Sequence, residues 1–148
     1  MNTRRKKPRR FAEGTKTPAM QTRTAIEKML VSDGADQLMN GNDVSKERAF
    51  IQFTMAKRMF RIYIDYAKRK DRAPEREQRE REAWRVLLLL VKAKLQLIRM
   101  GESSPEAEFL ANVLMPDGST VGDHVLPAIA ETYASGKMPK LLGMGSGG

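Results

Sequence analysis

Residues 49–66, "AFIQFTMAKRMFRIYIDY", constrain the fold more than any other stretch. Apolar and polar residues alternate through it with a period of two, the signature of a strand with one face buried and one face different. Reversal of the chain around Lys57-Arg58 puts Met55 opposite Phe60, Phe53 opposite Ile62 and Ile51 opposite Ile64. Cross-strand partners share a side, so this register gathers six apolar residues on one face. Thr54 with Arg61, Gln52 with Tyr63 and Phe50 with Asp65 take the other. A tight two-residue turn is unfavourable because Lys and Arg resist positive φ, so a four-residue loop at 56–59 is expected.

A helix should precede this hairpin. Thr24 and Glu27 have capping-box spacing, Ile26, Met29 and Leu30 form an apolar stripe, and Gly34 suits the stop. "ADQLMNGND" reads as a short strand ending in an Asn40-Gly41 turn. After the hairpin and a basic connector, a long helix is predicted from Pro74 to Met100, with acidic residues early and basic residues late, matching its dipole. Glu75–Arg79 and Glu77–Arg81 are i,i+4 pairs on a solvated first half. Trp84, Leu87, Leu88, Val91, Leu95 and Ile98 make its core stripe, and Leu89, Leu90 and Leu97 widen it, so the second half should be touched on several sides.

Ser103-Ser104-Pro105-Glu106 opens a short helix carrying Phe109, Leu110 and Val113. Pro116-Asp117-Gly118 is a turn, and Thr120 with Asp123 starts a last helix. Pro127 requires that helix to bend or begin late, and Gly136 and Pro139 end it. The resulting expectation is one α+β domain: a small antiparallel sheet built on hairpin 49–66, one long helix and three shorter ones. The domain spans residues 21–142, between a disordered basic arm (1–20) and a flexible tail (143–148).

The net charge of +9 is concentrated. Residues 1–20 carry +6 and residues 57–72 carry +5, while residues 21–56 and 73–148 carry −1 each. Clustered positive charge attracts phosphate backbones through counterion release. The candidate nucleic-acid-binding residues are Arg4, Arg5, Lys6, Lys7, Arg9 and Arg10 in the arm, and Lys57, Arg58, Arg61, Tyr63, Lys68, Arg69, Lys70 and Arg72 around the hairpin. On the polar face of the hairpin, Phe50 and Tyr63 flanked by Arg61 suit stacking of unpaired bases. The opposing reading is that a helix covers this face and Arg61 pairs with Asp65 or Glu47.

Other chemistries lack their residues. The sequence has no cysteine and one histidine, His124, so neither a disulfide framework nor a zinc site of the usual type is expected. Asp123 and His124 are sequence neighbours on a helix and do not face each other as a dyad. The carboxylates of 75–82 alternate with arginines and read as a solvated face rather than a cation site. The glycines of "GMGSGG" lack the strand and helix of a phosphate loop. No catalysis and no cofactor are expected. The longest apolar run, "VLLLLV", is far too short to span a bilayer, and the basic N-terminus lacks the apolar region of a secretion signal, so a cytosolic protein is expected.

The pieces "TRTAIEKML", "GADQLM", "FIQFTMAKRMFRIYI", "AWRVLLLLVKAKLQ", "EFLANVLMPDGSTVGDHVLPAI" and "ASGKMPKLL" resemble a family of small, mostly uncharacterised bacteriophage-encoded proteins. Together they cover most of residues 22–142, and "LMPDGSTVGDHVLP" is the most specific. Similar proteins usually have a glycine at the hairpin turn and a proline-containing apolar segment after the second strand. Here Ala56-Lys57-Arg58 and "DYAKRKD" stand in those places, and both departures add positive charge. The resemblance implies phage origin, an accessory role and location in the cytoplasm of the infected bacterial host, and it supplies no site residues. Residues and resemblance together lead to a non-catalytic nucleic-acid-binding protein acting in replication, recombination or gene control, with DNA favoured over RNA. Two alternatives stay open. One is a protein-binding modulator of a host factor or defence system, using "MPDGSTVGDHVLP" or the leucines of the long helix. The other is a virion component whose arm touches packaged DNA.

Overall fold

The computed structural model describes residues 11–66 and 73–138, apart from the side chains of Ala73 and Pro74. Helix α1 (Ala19–Ser32) leads into three antiparallel strands, β1 (Asp36–Asp43), β2 (Arg48–Met55) and β3 (Arg58–Asp65), in the sheet order β1-β2-β3. The long helix α2 (Ala73–Arg99) follows, then the short α3 (Pro105–Glu108), a 3-10 turn and α4 (Val121–Ser135). This is the α+β architecture expected, with one long and three shorter helices. Among the described residues no helix is long and apolar enough to cross a membrane.

The hairpin sorts its residues onto the expected faces through a different register. Phe53 pairs with Phe60, Ile51 with Ile62 and Ala49 with Ile64. The shift from the expected register is two residues, and because side chains alternate with period two, an even shift leaves each residue on its face. The loop is the tight one that the sequence argued against. Ala56 and Lys57 both take left-handed φ values, +50° and +61°, as a two-residue turn between right-twisted strands requires. Strand pairing fixes the turn, and non-glycine residues sit where glycine is preferred.

Ala49, Ile51, Phe53, Met55, Phe60 and Ile62 are buried beneath α1 and α2 together with Ile26, Leu30, Trp84, Leu87, Val91 and Leu95. Phe109, delivered by the turn after α3, completes an aromatic cluster, its ring centroid 5.4 Å from Phe53 and 5.7 Å from Phe60. Edge-to-face and offset packing of this kind adds about 0.5–1.5 kcal/mol per pair beyond area burial.

Several local expectations need correction. Helix α1 starts at Ala19 after Pro18, so Thr24 lies more than one turn and Glu27 more than two turns inside it. The Thr24 hydroxyl donates to the Met20 carbonyl, and Glu27 accepts from Asn40. Asn40-Gly41 is strand interior, not a turn, with Asn40 paired to Ile51 and Gly41 to Phe50. The first half of α2 is partly engaged rather than wholly solvated. Glu80 accepts from Asn42 at 2.7 Å, Glu82 from the Gly14 amide at 2.9 Å, and Arg76 pairs with Glu47 at 2.6 Å. Residues 11–18, read from the sequence as part of the arm, therefore run beside α2, with the Thr15 carbonyl accepting from Gln78 as well. The second half of α2 meets the core on one side only: Leu89, Leu90 and Leu97 are exposed. Helix α4 begins at Val121, with the Thr120–Asp123 capping box in place, and carries Pro127 inside it rather than starting late.

Candidate nucleic-acid interface

Both α1 and α2 sit on the core face of the sheet, and among the described residues no helix packs on the other face. That face is built in rows, because antiparallel partners lie side by side. Gly41, Phe50 and Tyr63 form one row, Met39, Gln52 and Arg61 the next, and Asp43, Arg48 and Asp65 the row at one end. Thr54 and Met59 lie toward the turn. Tyr63 is 37% exposed and Met39 55%. Of the two readings of the hairpin's polar face, the open one describes these residues.

Glycine at position 41 shapes the surface. A Cβ there would stand 3.3 Å from Phe50 Cε1, so the missing side chain lets the Phe50 ring lie across the neighbouring strand. The ring centroid of Tyr63 is 6.2 Å from that of Phe50, with the planes tilted by 54°. The Arg48 guanidinium lies 3.8 Å from the Tyr63 centroid, a close cation–π stack. Arg61 is fixed from two sides: its Nε and Nη2 donate to Gln52 Oε1 at 2.8 and 2.6 Å, and its Nη1 donates to the Tyr63 hydroxyl at 3.3 Å. It pairs with neither Asp65 nor Glu47. Met39, Asp43, Phe50, Gln52, Arg61 and Tyr63 border a shallow depression of about 210 Å³.

The face is electrostatically polarised. Asp43 and Asp65 flank Arg48 at one end, where Asp43 also contacts Arg48 at 3.6 Å. The Ser45 hydroxyl, joined by the Lys46 amide and the Arg48 charge, holds the Asp43 carboxyl below the ordinary aspartate range, so this end stays anionic at neutral pH. Arg61 and the Lys57 turn bring two cations to the other end, where Asp36, paired with Thr54, supplies one carboxylate. A phosphate backbone is repelled at one end and attracted at the other.

Of the residues predicted from sequence, Arg61 and Tyr63 stand together on this face and Lys57 at its turn. Arg58 does not join them. It pairs with Met55, a core-side position, and turns toward α3, where it forms an ion pair with Glu106 at 2.5 Å. Arg4, Arg5, Lys6, Lys7, Arg9 and Arg10, with Lys68, Arg69, Lys70 and Arg72, lie outside the described residues, as does the tail from 143. Arg48 and Met39 were missed. The alternation extends one residue further toward the N-terminus than the expected hairpin, which would have revealed Arg48. Met39 sits beyond an irregularity in the β1–β2 register between Asp36 and Met39, which no simple alternation shows.

The segment after α3 attaches to the free side of β3. The Leu114 amide donates to the Met59 carbonyl at 2.8 Å, and Val113 bridges Phe60. Its turn at Pro116-Asp117-Gly118 brings His124 to Ser119, not to Asp123: Nε2 lies 2.6 Å from Ser119 Oγ. The Ser119 hydroxyl also donates to Asp117. Asp123 is occupied with the Thr120 amide in the helix cap.

No protein-family model, curated protein or solved structure matches this chain.

Proposed function

We propose that this protein binds single-stranded nucleic acid on the outer face of its sheet, without catalysis. Taken with the resemblance of residues 22–142 to phage-encoded proteins, the setting is phage replication, recombination or gene control. One observation carries the reading: an uncovered sheet face presents Phe50 and Tyr63 beside two arginines. Stacking of bases on rings and guanidinium planes, with phosphates held by the same cations, suits unpaired strands and tolerates any sequence. Arg48 already covers one side of Tyr63, so a base has the other side, the Phe50 ring or the outer plane of Arg48 to stack on. The acidic pair Asp43 and Asp65 directs the backbone toward Arg61 and Lys57. The basic arm and residues 68–72 extend the phosphate contact without reading sequence.

The test is fluorescence anisotropy with labelled single-stranded DNA, single-stranded RNA and duplex of the same length, each over a salt series. Single strands should bind more tightly than duplex, with affinity falling steeply as salt rises. Equal affinity for duplex and single strand, unaffected by Tyr63→Ala, rejects the sheet face as the site. Absence of any binding at low salt rejects the function.

A further inference from the structure

Asp43, Gln52, Arg61 and Tyr63 border the depression of about 210 Å³ on the sheet face, and they differ in the hydrogen bonds they leave unused. Gln52 is engaged at both ends: Oε1 accepts twice from Arg61, and Nε2 lies 3.3 Å from the Met59 sulfur. Arg61 spends three of its five N–H groups on Gln52 and the Tyr63 hydroxyl, which leaves two for an outside acceptor. Asp43 is half filled. Its Oδ1 accepts from the Ser45 hydroxyl at 2.7 Å and from the Lys46 amide at 3.3 Å, and these bonds keep the carboxylate ionised at neutral pH. Its Oδ2 faces Arg48 Nε at 3.6 Å, beyond hydrogen-bond distance. Arg48 stacks on Tyr63 and does not border the depression. At the Asp43 end the depression therefore offers an acceptor, and no side-chain donor among the described residues that border it.

The rows of the face set the orientation of a nucleotide. The row of Phe50 and Tyr63 lies between the row of Asp43 and the row of Arg61, and the outer two are roughly 13 Å apart at the rise of a strand. A base stacked on the central rings, with its phosphate at Arg61, turns its hydrogen-bonding edge toward Asp43. An ionised carboxylate only accepts. Cytosine, adenine and guanine each carry an exocyclic amino group that can donate to it, whereas thymine and uracil carry a carbonyl oxygen in place of the cytosine amino group. The ring N–H of uracil lies between two carbonyl oxygens, so a carboxylate that reaches it meets both. Stacking alone does not distinguish these bases, but Asp43 does.

We propose that Asp43 is a specificity-determining residue of the sheet face: its Oδ2 accepts a hydrogen bond from the exocyclic amino group of a stacked base, so the face selects amino-bearing bases over thymine and uracil. The inference rests on the reading of this face as a single-strand binding site. It adds a preference to that site and leaves the phosphate contacts as they are.

The test compares labelled deoxycytidine and deoxyuridine oligomers of one length by fluorescence anisotropy at neutral pH. The two carry the same phosphates and differ only at the base edge, so counterion release cancels in their ratio. The full chain should bind the cytidine oligomer about tenfold more tightly, the scale of one hydrogen bond to a charged group. Asp43→Asn keeps an oxygen for Ser45 and Lys46 and puts an amide donor where Oδ2 stood, so the preference should reverse toward deoxyuridine. Asp43→Ser keeps a capping oxygen and removes the carboxylate, so the ratio should fall to about one. Circular dichroism checks that each variant is folded, and the ratio in either folded variant decides. Equal affinity of the parent for both oligomers, or a tighter deoxyuridine complex, overturns the proposal. So does a cytidine preference that persists in a folded Asp43 variant. Tyr63→Ala tells this failure from failure of the underlying reading. If it weakens both oligomers while the parent shows no preference, the face is the site and Asp43 does not select. If it weakens neither, the face is not the site, and the inference falls with it.

Discussion

Arg48 and Tyr63 sit diagonally across β2 and β3, and the guanidinium of one lies 3.8 Å from the ring centre of the other. The contact is possible because Phe50, directly opposite Tyr63, leans over Gly41 instead of over the tyrosine. Cation, ring and second ring thus form a continuous platform. In a three-stranded antiparallel sheet with helices on one side, this platform lies on the solvated face.

Tyr63→Ala should therefore affect binding more than folding. An exposed ring contributes little to the core, while a base stacked on an aromatic side chain is worth about 1–3 kcal/mol. The expected outcome is a five- to hundredfold loss of affinity for single-stranded oligonucleotide, an order of magnitude set by that stacking energy. The melting temperature should fall only slightly. A large loss of melting temperature with affinity of the folded fraction preserved would return this ring to a structural role.

Arg61→Gln separates charge from stacking. Arg61 is held by Gln52 and by the Tyr63 hydroxyl, so its charge is presented at a fixed place. Removing one phosphate contact should flatten the slope of log K against log salt by about 0.7 for a single strand. Tyr63→Ala should lower affinity without changing that slope. If both variants change the slope equally, ring and cation are not separate contributors.

Lys57→Gly tests the strained turn. Lys57 has a φ of +61°, where a Cβ is disfavoured and glycine is not. The left-handed conformation costs an L-residue roughly 1–2 kcal/mol, partly offset in glycine by its larger entropy loss on folding. A gain of about 1 kcal/mol is expected, visible as a melting temperature higher by a few degrees. The same change removes a cation beside the binding face, so nucleic-acid affinity should fall while stability rises.

That turn also shows why sequence reading stopped where it did. Alternation assigned every hairpin residue to its face, because face depends only on parity. It could not fix register, because a shift of two residues preserves parity and only turn geometry distinguishes the choices. Turn propensity then pointed the wrong way, since eight paired residues on each strand outweigh two strained dihedrals. The long helix was legible from its caps and charges, and its core side from Trp84, Leu87, Val91 and Leu95. Leu89, Leu90 and Leu97 were over-read as core because apolar character alone does not say what covers a residue. Arg48 escaped because it is charged and lies at the hairpin margin, and its place beside Tyr63 emerges only with the register.

Acid should loosen the turn between α3 and α4 through Asp117. Hydrogen bonds from the Ser119 hydroxyl and amide hold its carboxyl below the ordinary aspartate value, with the neighbouring His124 adding to the effect. A carboxylate depressed in the folded state contributes stability that is present above the unfolded value, near pH 4, and is lost as pH falls through the lower folded value. Carboxyl chemical shifts followed by NMR should show Asp117 titrating below a typical aspartate. Ser119→Ala should raise that midpoint. An unchanged midpoint would mean Ser119 does not hold the carboxylate.

Leu87→Ala and Leu89→Ala, two residues apart on α2, should differ sharply. Leu87 is buried against the sheet within the cluster of Trp84, Phe53 and Val91, while Leu89 is exposed. Truncating a buried leucine loses its transfer free energy and leaves a cavity, about 2–5 kcal/mol together. Truncating an exposed one in a helix costs a few tenths, because alanine's helix propensity offsets part of the lost contact. Urea unfolding should show a much lower midpoint for Leu87→Ala with an unchanged m-value, and a nearly unchanged midpoint for Leu89→Ala. The two measurements locate the boundary between the core side of α2 and its exposed side. A comparable loss for both would mean that Leu89 is covered in solution, whether within one chain or across two. Repeating the Leu89→Ala unfolding at several protein concentrations separates these cases, because only a contact between chains makes the midpoint concentration-dependent.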